Sequence, residues 1–362
     1  VRAAPAPVVD GGAASCADEG AAYFFGGWDL VTSNFPFKNS TLWRLSLDRD
    51  RERLVWDAAA PAAAPNAPSP RRWHGMTCAA GSVVVFGGQW WRLQGPCGSY
   101  ECFYADNGLY AFDLAEGAWE VWSPPTADRF GDPAHNVPPH LVAPAIAVYP
   151  DIPGAAMVWV YGGAVVDETG TPSSSVSLLR QFDTSSRLWL PAPTFTGTPP
   201  SSLMRAGSAL IGSSWYLLNG YKLSSGQGQA QGGAAATWPP FEPWQLRGDL
   251  PALDLEQLVW QRAAPTDSIP YPADMPRTEL AATGVVGGTL VVYGGHWTQG
   301  DGSKAAVDRC YIFSTALLAW ERLVTPDVYD RLSFNSSYPS GVPLWPTTSE
   351  EWPGPLIGAA GV

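Results

Sequence analysis

The chain has 362 residues, of which 46% are apolar, and its 38 glycines and 35 prolines indicate a folded protein with many turns. Its net charge of −12, with no cluster of lysine or arginine, argues against nucleic acid or an anionic membrane surface as a partner. No apolar run reaches the roughly 18–20 residues of a membrane span, so we expect no transmembrane helix in this chain.

A repeat of four predicted strands organises the chain after an N-terminal extension at 1–11. The extension starts at Val1 without a hydrophobic leader, which is typical of a mature form or a fragment. Strand A of each copy is a run of small and apolar residues, such as the run from His74 or from Arg205. Strand B follows and ends on a glycine pair at Gly26 and Gly27, Gly87 and Gly88, Gly162 and Gly163, and Gly294 and Gly295, with Asn219 and Gly220 as a degenerate copy.

Strands C and D carry the second signature of the repeat. An acidic or small residue ends strand C, and a tryptophan follows six positions later in strand D. An aspartate side chain can start a tight turn by bonding to the backbone two residues on. We expect the tryptophan to pack strand D against its neighbours. The pairs are Asp50 and Trp56, Asp113 and Trp119, Asp183 and Trp189, Asp254 and Trp260, and Ser314 and Trp320.

The copies lie at about 12–60, 72–124, 140–192, 202–264 and 277–324. One four-stranded sheet cannot bury both of its faces alone, but copies stacked around an axis bury each other. Self-similarity at this period therefore predicts an all-β repeat architecture.

The glycine pairs, the acidic end of strand C and the spaced tryptophans resemble the kelch repeat. This resemblance implies an all-β, kelch-type β-propeller of four-stranded blades at 12–350, with five full repeats. Asn219 and Ser314 depart from the pattern. Residues 351–362 resemble a further A strand, which either begins a sixth blade or closes the ring on the first blade.

Long connections join strands B to C and strands D to A, while the A–B and C–D turns are short. Because strands of a propeller blade alternate in direction, the long connections are expected on one face, where function usually lies. Exposed aromatic side chains there are candidates for binding: Trp91, Trp238, Phe241, Trp244 and Trp345. Trp28, Trp90 and Trp297 follow glycine pairs and are expected to cover the blade edges instead.

The five cysteines and two sequons favour an extracellular or secretory-pathway location, with the cytoplasm as the alternative. Cys97 and Cys102 bracket an insertion and are predicted to form a disulfide, the alternative being two free thiols. Cys16 and Cys78 are expected in equivalent register as small buried residues of A strands. Asn39 and Asn335 begin the sequons for N-glycosylation, both within long connections.

No catalytic constellation can be matched, so we expect no enzyme and no cofactor. Asp132, His135 and His140 form a weak metal candidate in a proline-rich segment without a helix to fix their spacing. The copper-site residues of galactose-oxidase-type propellers cannot be matched one by one. Two functions remain. The first is a non-catalytic protein-binding or assembly module that is part of a larger extracellular protein and binds through the face of the long connections. The second is an extracellular protein that binds or oxidises carbohydrate through loop tryptophans.

Overall fold

Antiparallel strands form almost all of the regular structure in this computed structural model. It describes residues 8–9, 12–16, 20–29, 40–48, 53–93, 101–152, 155–167, 170–200, 202–218, 220–222, 242–243, 250–263, 282–286, 288–293, 296–298, 304–306 and 310–323. Within these ranges, Pro133–His135 forms a short 3-10 turn. The predicted all-β class is confirmed.

Five four-stranded sheets recur along the described part of the chain, and each has its strands in the order A, B, C, D. The first sheet contains Gly12–Cys16, Ala21–Phe25, Leu42–Asp48 and Arg53–Ala60. The second contains Gly75–Ala79, Ser82–Phe86, Leu109–Asp113 and Ala118–Ser123. The third contains Ala145–Val148, Met157–Tyr161, Leu179–Asp183 and Leu188–Leu190. The fourth contains Gly207–Ile211, Ser214–Leu218, Leu250–Asp254 and Val259–Ala263, and the fifth contains Ala282–Val286, Thr289–Tyr293, Cys310–Ser314 and Ala319–Leu323.

Aspartate closes the C–D turn as the sequence predicts. In the second sheet, Oδ1 of Asp113 accepts the backbone N–H groups of Ala115 at 2.8 Å and Glu116 at 2.9 Å. Asp254 makes the same two bonds in the fourth sheet. In the third sheet, Asp183 accepts the N–H of Ser185 and the hydroxyl groups of Ser185 and Ser186. The side chain therefore satisfies donors that the four-residue turn would otherwise leave to water.

The first sheet departs from this pattern. Trp119 of the second sheet lies opposite Phe112, the residue before Asp113, and Trp56 lies opposite Leu45. Ser46 therefore occupies the aspartate position of the first sheet, and the assignment of Asp50 to it was wrong. Asp50 itself lies outside the described residues.

The cause of this departure is a longer C–D hairpin. Two additional cross-strand pairs, Leu47 with Leu54 and Asp48 with Arg53, extend the first sheet past the point where the other sheets turn. Leu47 is 53% exposed and Leu54 is 65% exposed, so the extension carries apolar side chains into solvent.

Successive sheets pack face to face in chain order, and each of the four neighbouring pairs encloses one apolar cluster. Their A strands also contact one another in the same order. In the second, third and fourth sheets, the tryptophan of strand D packs on the aromatic residue that ends strand B of the preceding sheet. The ring centroids are 5.6 Å apart for Trp119 and Phe25, 5.4 Å for Trp189 and Phe86, and 5.0 Å for Trp260 and Tyr161.

The glycine pairs join neighbouring sheets, which explains why they recur. The N–H of the second glycine donates to a carbonyl that precedes strand A of the next sheet, as Gly88 does to Leu141 at 2.8 Å. The first glycine has a positive φ of 64° at Gly87, and a Cβ there would lie 2.6 Å from the same carbonyl oxygen. Gly26 and Gly162 face equivalent carbonyls, so a side chain is excluded at each of these junctions.

Cys16 and Cys78 both lie in A strands, as expected, and Cys16 is buried. A disulfide joins them, and the expectation of an equivalent register was wrong. Cys16 lies opposite Ala21, whereas Cys78 lies opposite Val83, which is one position closer to its glycine pair. Because side-chain direction alternates along a strand, this offset of one residue turns the two sulfur atoms toward each other across the interface between the first and second sheets.

Candidate binding surface on the loop side

Short accessory strands extend the B–C connections of the sheets. They also pair with the residues just before strand A, so the B–C and D–A connections meet at one edge. The pairs and bridges are Val8–Val9 with Trp28–Asp29, Gln89–Leu93 with Glu101–Ala105, Arg72 with Gln89, Ala164–Val166 with both Leu141–Val142 and Pro172–Ser175, Tyr221–Lys222 with Glu242–Pro243, and His296–Thr298 with Lys304–Ala306. We call this edge of the sheets the loop side.

Accessory strands of successive sheets contact each other. Nε2 of Gln89 donates to the carbonyl of Gly170 at 2.7 Å, and a Cβ on Gly170 would meet the carbonyl of Phe103. Pro172–Ser175 in turn contacts Tyr221–Lys222. The accessory strands of the second, third and fourth sheets therefore form a connected layer above the main sheets.

A left-handed residue lies two positions before strand A in three consecutive sheets: Trp73, Ala143 and Arg205 have φ of 53°, 54° and 57°. Ala143 N–H donates to the carbonyl of Trp73 at 2.6 Å, and Arg205 N–H donates to that of Ala143 at 3.0 Å. A separate apolar cluster, which includes Trp73, Val142 and Ala164, supports the loop-side layer from below.

Arg71 is the most deeply buried cation of this layer. Its Nη1 lies 2.9 Å from Oδ1 of Asp106 and donates to the carbonyl of Gly87 at 2.7 Å. The Tyr110 hydroxyl donates to Oδ2 of Asp106 at 3.1 Å. Burial alone would lower the pKa of Arg71, but the carboxylate of Asp106 keeps it above its usual value. Burial, together with Asp106, raises the pKa of Tyr110 to about 12.

Aromatic rings and guanidinium groups stack beside this ion pair. The guanidinium of Arg71 lies 5.3 Å from the ring centroid of Trp90, which stacks on Tyr104 across the accessory hairpin at 5.8 Å. The Trp73 ring has Arg72 at 3.6 Å and Arg205 at 4.0 Å. Arg72 also bonds to Oε1 of Gln89. These cation–π contacts fix the inner part of the loop side.

His74 lies beneath this layer, between the first two sheets. Its imidazole is buried and contacts the Phe25 ring edge-on at 5.6 Å. Among the described residues, neither ring nitrogen has a hydrogen-bond partner. Burial, together with the positive charge of Arg71, lowers the pKa of His74 to about 3, so the ring is neutral at physiological pH.

The D–A connection after the second sheet is an ordered loop held by the buried Asn107. Its amide donates to Oγ1 of Thr126 at 2.9 Å and to the carbonyl of Pro138 at 2.6 Å. Phe130 projects from this loop and is 66% exposed. The Arg129 guanidinium lies 4.9 Å from its ring centroid. Exposed aromatics beside arginine, on a backbone that is already fixed, are typical of protein-binding hot spots.

The weak metal candidate lies in the same loop, but only two of its members come together. Oδ2 of Asp132 accepts a hydrogen bond from Nδ1 of His135 at 2.7 Å, and this bond lowers the pKa of Asp132. His140 turns away and donates from Nε2 to the carbonyl of Thr126 at 3.0 Å. No group of three His, Cys, Asp or Glu side chains with metal-binding geometry occurs within the described ranges.

Several other predicted site residues lie outside the described residues. They are Trp238, Phe241, Trp244, Trp345, Asn39, Asn335, Cys97, Gly294 and Gly295. Trp91 and Cys102 lie on opposite strands of the accessory hairpin of the second sheet, at Gln89–Leu93 and Glu101–Ala105. The predicted Cys97–Cys102 disulfide and the two glycosylation sites stay predictions.

Sequence reasoning missed Arg71, Asp106 and Phe130. Arg71 belongs to an Arg-Arg-Trp-His run directly before an A strand, a signal that no other repeat shares. Asp106 lies 35 residues away, so only the fold brings the two charges together.

In the part of the chain that the structure describes, no helix has the length and apolarity to cross a membrane. No protein-family model matches the chain, and no curated protein matches it.

Proposed function

We propose that the five sheets are blades of a kelch-like β-propeller. Three observations support this architecture: the sheets repeat in one strand order, their A strands are neighbours in chain order, and the three interfaces among the first four sheets use the same tryptophan and glycine contacts. Radial repetition of four-stranded sheets produces such contacts because every sheet has the same two neighbours.

We further propose that this propeller is a non-catalytic protein-binding module that uses its loop side. The observation that carries this proposal is the connected layer of accessory strands, which converts long connections into an ordered surface. Ordered surface loops on a rigid scaffold are where binding residues concentrate. The Cys16–Cys78 disulfide supports an oxidising compartment, so we propose an extracellular partner.

Two exposed apolar residues on opposite edges allow a matched test. Phe130 lies on the loop side and is 66% exposed, whereas Leu188 lies beside the C–D turn of the third sheet and is 61% exposed. We expect a partner recovered from the extracellular medium by crosslinking to lose affinity at least tenfold for Phe130→Ala and to bind Leu188→Ala normally. Loss with Leu188→Ala alone would place binding on the opposite edge and contradict the proposal.

Carbohydrate binding is the second candidate, and the stacked pair of Trp90 and Tyr104 on the accessory hairpin favours it. Both rings are only partly buried, so their remaining surface could contact a sugar. A glycan array probed with the native protein and with Trp90→Ala separates the two candidates. Glycan binding that Trp90→Ala abolishes would support this second function, and an array without signal would exclude the glycans tested.

A further inference from the structure

In the second, third and fourth sheets, strand D is contacted by the connection that follows the preceding sheet. Nδ2 of Asn66 donates to the carbonyl of Trp119 in the second sheet at 3.3 Å. Pro133–His135 contacts Leu188–Leu190 in the third sheet. In the fourth sheet, Thr196 forms a backbone bridge to strand D. These connections therefore cover part of three outer edges, which limits the addition of strands from other chains.

Within the described ranges, no residue pairs with the outer edge of strand D in the first sheet, Arg53–Ala60. This strand has eight residues, against three to six in the other D strands. Leu54 is 65% exposed, and Ala58 is exposed as well. Trp56 is only partly buried, whereas the strand-D tryptophans of the next three sheets are buried. A long edge strand with exposed apolar side chains is a site for strand addition.

We propose that this edge pairs with the same edge of a second copy of the chain, which forms a dimer with two-fold symmetry. Two identical strands can pair in antiparallel direction around one residue that lies opposite itself. When Val55 is that central residue, Leu54 lies opposite the partner's Trp56. Arg53 then lies opposite the partner's Asp57, so the strand is complementary to itself. This pairing is independent of the partner proposed for the loop side.

The neighbouring strand C extends the apolar contact across the joined sheet. Leu47 is the cross-strand partner of Leu54, and Leu45 is that of Trp56. Because cross-strand partners share one face of a sheet, the dimer joins these positions into one apolar row across four strands. The Trp56 ring packs on Phe24 of its own sheet, with 5.0 Å between centroids. Burial of the exposed Leu47 and Leu54 side chains favours association.

Charged residues form a second row, one position along the strand. Asp48 is the cross-strand partner of Arg53, and Arg44 is that of Asp57. In the dimer the row reads Asp48, Arg53, the partner's Asp57 and the partner's Arg44. The signs alternate along this row, and opposite charges at opposed positions stabilise a sheet. A shift of one residue would remove both intermolecular pairs of arginine and aspartate, so the charges favour this register.

Sedimentation velocity over a range of protein concentrations measures the dimer. Leu54→Asp places a charge opposite the partner's Trp56 and is expected to raise the dissociation constant about tenfold or more. Leu188→Asp is the matched control, because Leu188 is a strand-D residue of another sheet and is 61% exposed. This control is expected to leave association unchanged. A monomer at every concentration, or equal weakening by the two variants, overturns the proposal.

A single cysteine tests the register without adding a charge. Directly opposed residues of antiparallel strands lie about 4.5–5.5 Å apart between Cα atoms, which a disulfide can span. Val55→Cys is thus expected to link two chains through position 55 under mild oxidation, as identified by peptide mapping. Ala58→Cys is the control, since Ala58 is exposed but lies about 20 Å from the partner's Ala58 in this register. No link through position 55, or equal linkage by the two variants, overturns the proposal.

Charge reversal tests whether the edge contacts a second copy of itself. Arg53→Asp and Asp57→Arg each place like charges opposite each other in the dimer, so each is expected to weaken association. The double variant restores opposite signs between the two copies and is expected to recover association. The cross-strand pairs within each chain stay disrupted in the double variant, so they cannot cause this recovery. Failure of the double variant to recover association overturns the proposal.

Discussion

At the scale of single residues, the loop side depends on one buried ion pair. Arg71 and Asp106 form two hydrogen bonds to each other, and Asp106 also accepts from Gly108 and Tyr110. Every oxygen of the carboxylate therefore has a donor. The pair fixes the segment before strand A of the second sheet to its B–C connection.

Replacing Asp106 with Asn leaves the Arg71 charge buried without a counter-ion. We expect the free energy of unfolding to fall by about 3–5 kcal/mol, measured by urea denaturation. Glu120→Gln is the matched control, because Glu120 pairs with Arg187 at an exposed site and is expected to change stability by less than about 1 kcal/mol. Equal changes in the free energy of unfolding for the two substitutions would show that the buried Arg71 pair contributes no more to stability than the exposed pair.

His74 gives the protein a specific response to acid. Its pKa is about 3 in the fold, below the ordinary value of 6.5, so the unfolded state binds a proton first as pH falls. The contribution of His74 to the free energy of unfolding is therefore complete above pH 6.5 and is lost as pH falls toward 3. Over this range the free energy of unfolding declines with a slope approaching about 1.4 kcal/mol per pH unit.

The measurement is the pH dependence of urea unfolding between pH 6.5 and 4. His74→Gln should make the decline shallower by up to about 1.4 kcal/mol per pH unit, because one fewer proton is bound on unfolding. An unchanged slope in His74→Gln would mean that the ring is already solvated in the fold.

At the scale of elements, the glycine pairs act as junctions between sheets rather than as simple turns. Gly87 and Gly117 have nearly the same positive φ, 64° and 65°, but only Gly87 lies against a neighbouring backbone. A substitution at Gly117 therefore measures only the cost of placing a side chain on a left-handed backbone. The same substitution at Gly87 adds the cost of a collision with the neighbouring sheet.

Gly117→Ala should cost about 1–2 kcal/mol, since an L-residue is disfavoured in the left-handed region. Gly87→Ala should cost that amount and about 1–3 kcal/mol more, because its Cβ would collide with the Leu141 carbonyl. Thermal or urea unfolding of both variants gives the comparison. If the two variants lose the same stability, the junction can open to admit a methyl group.

The sequence was sufficient to predict features that are local and repeated. The four-strand period, the glycine pairs and the aspartate turns each depend on a few adjacent residues, so their signal survives without knowledge of the fold. The extended hairpin of the first sheet was not predicted. The spacing from Asp50 to Trp56 matches the repeat by coincidence, although the strand register differs.

Contacts across sheets were harder to predict. The Cys16–Cys78 disulfide depends on a register offset of one residue between two A strands, and sequence alignment without the strand pairing gave the two cysteines the same position. The Arg71–Asp106 pair and the accessory strands depend in the same way on partners that only the folded chain brings together.

At the scale of the whole molecule, the disulfide ties the first sheet to the rest of the array. Its cysteines are 62 residues apart, and closing a loop of that length stabilises the folded chain by about 4 kcal/mol in the chain-entropy model. Urea unfolding of Cys16→Ser with Cys78→Ser should show a loss of this order. A loss below about 1 kcal/mol would indicate that the unfolded state is already compact.

The same bond also has a consequence for protease resistance. A single cut of the main chain anywhere between residues 17 and 77 would not release the N-terminal piece, because Cys16 and Cys78 stay covalently attached on either side of the nick. Nicked protein would migrate as one band on a denaturing gel until a thiol is added, and only then as two. A cut between residues 17 and 77 would thus leave the mass of the denatured protein almost unchanged until the disulfide is reduced.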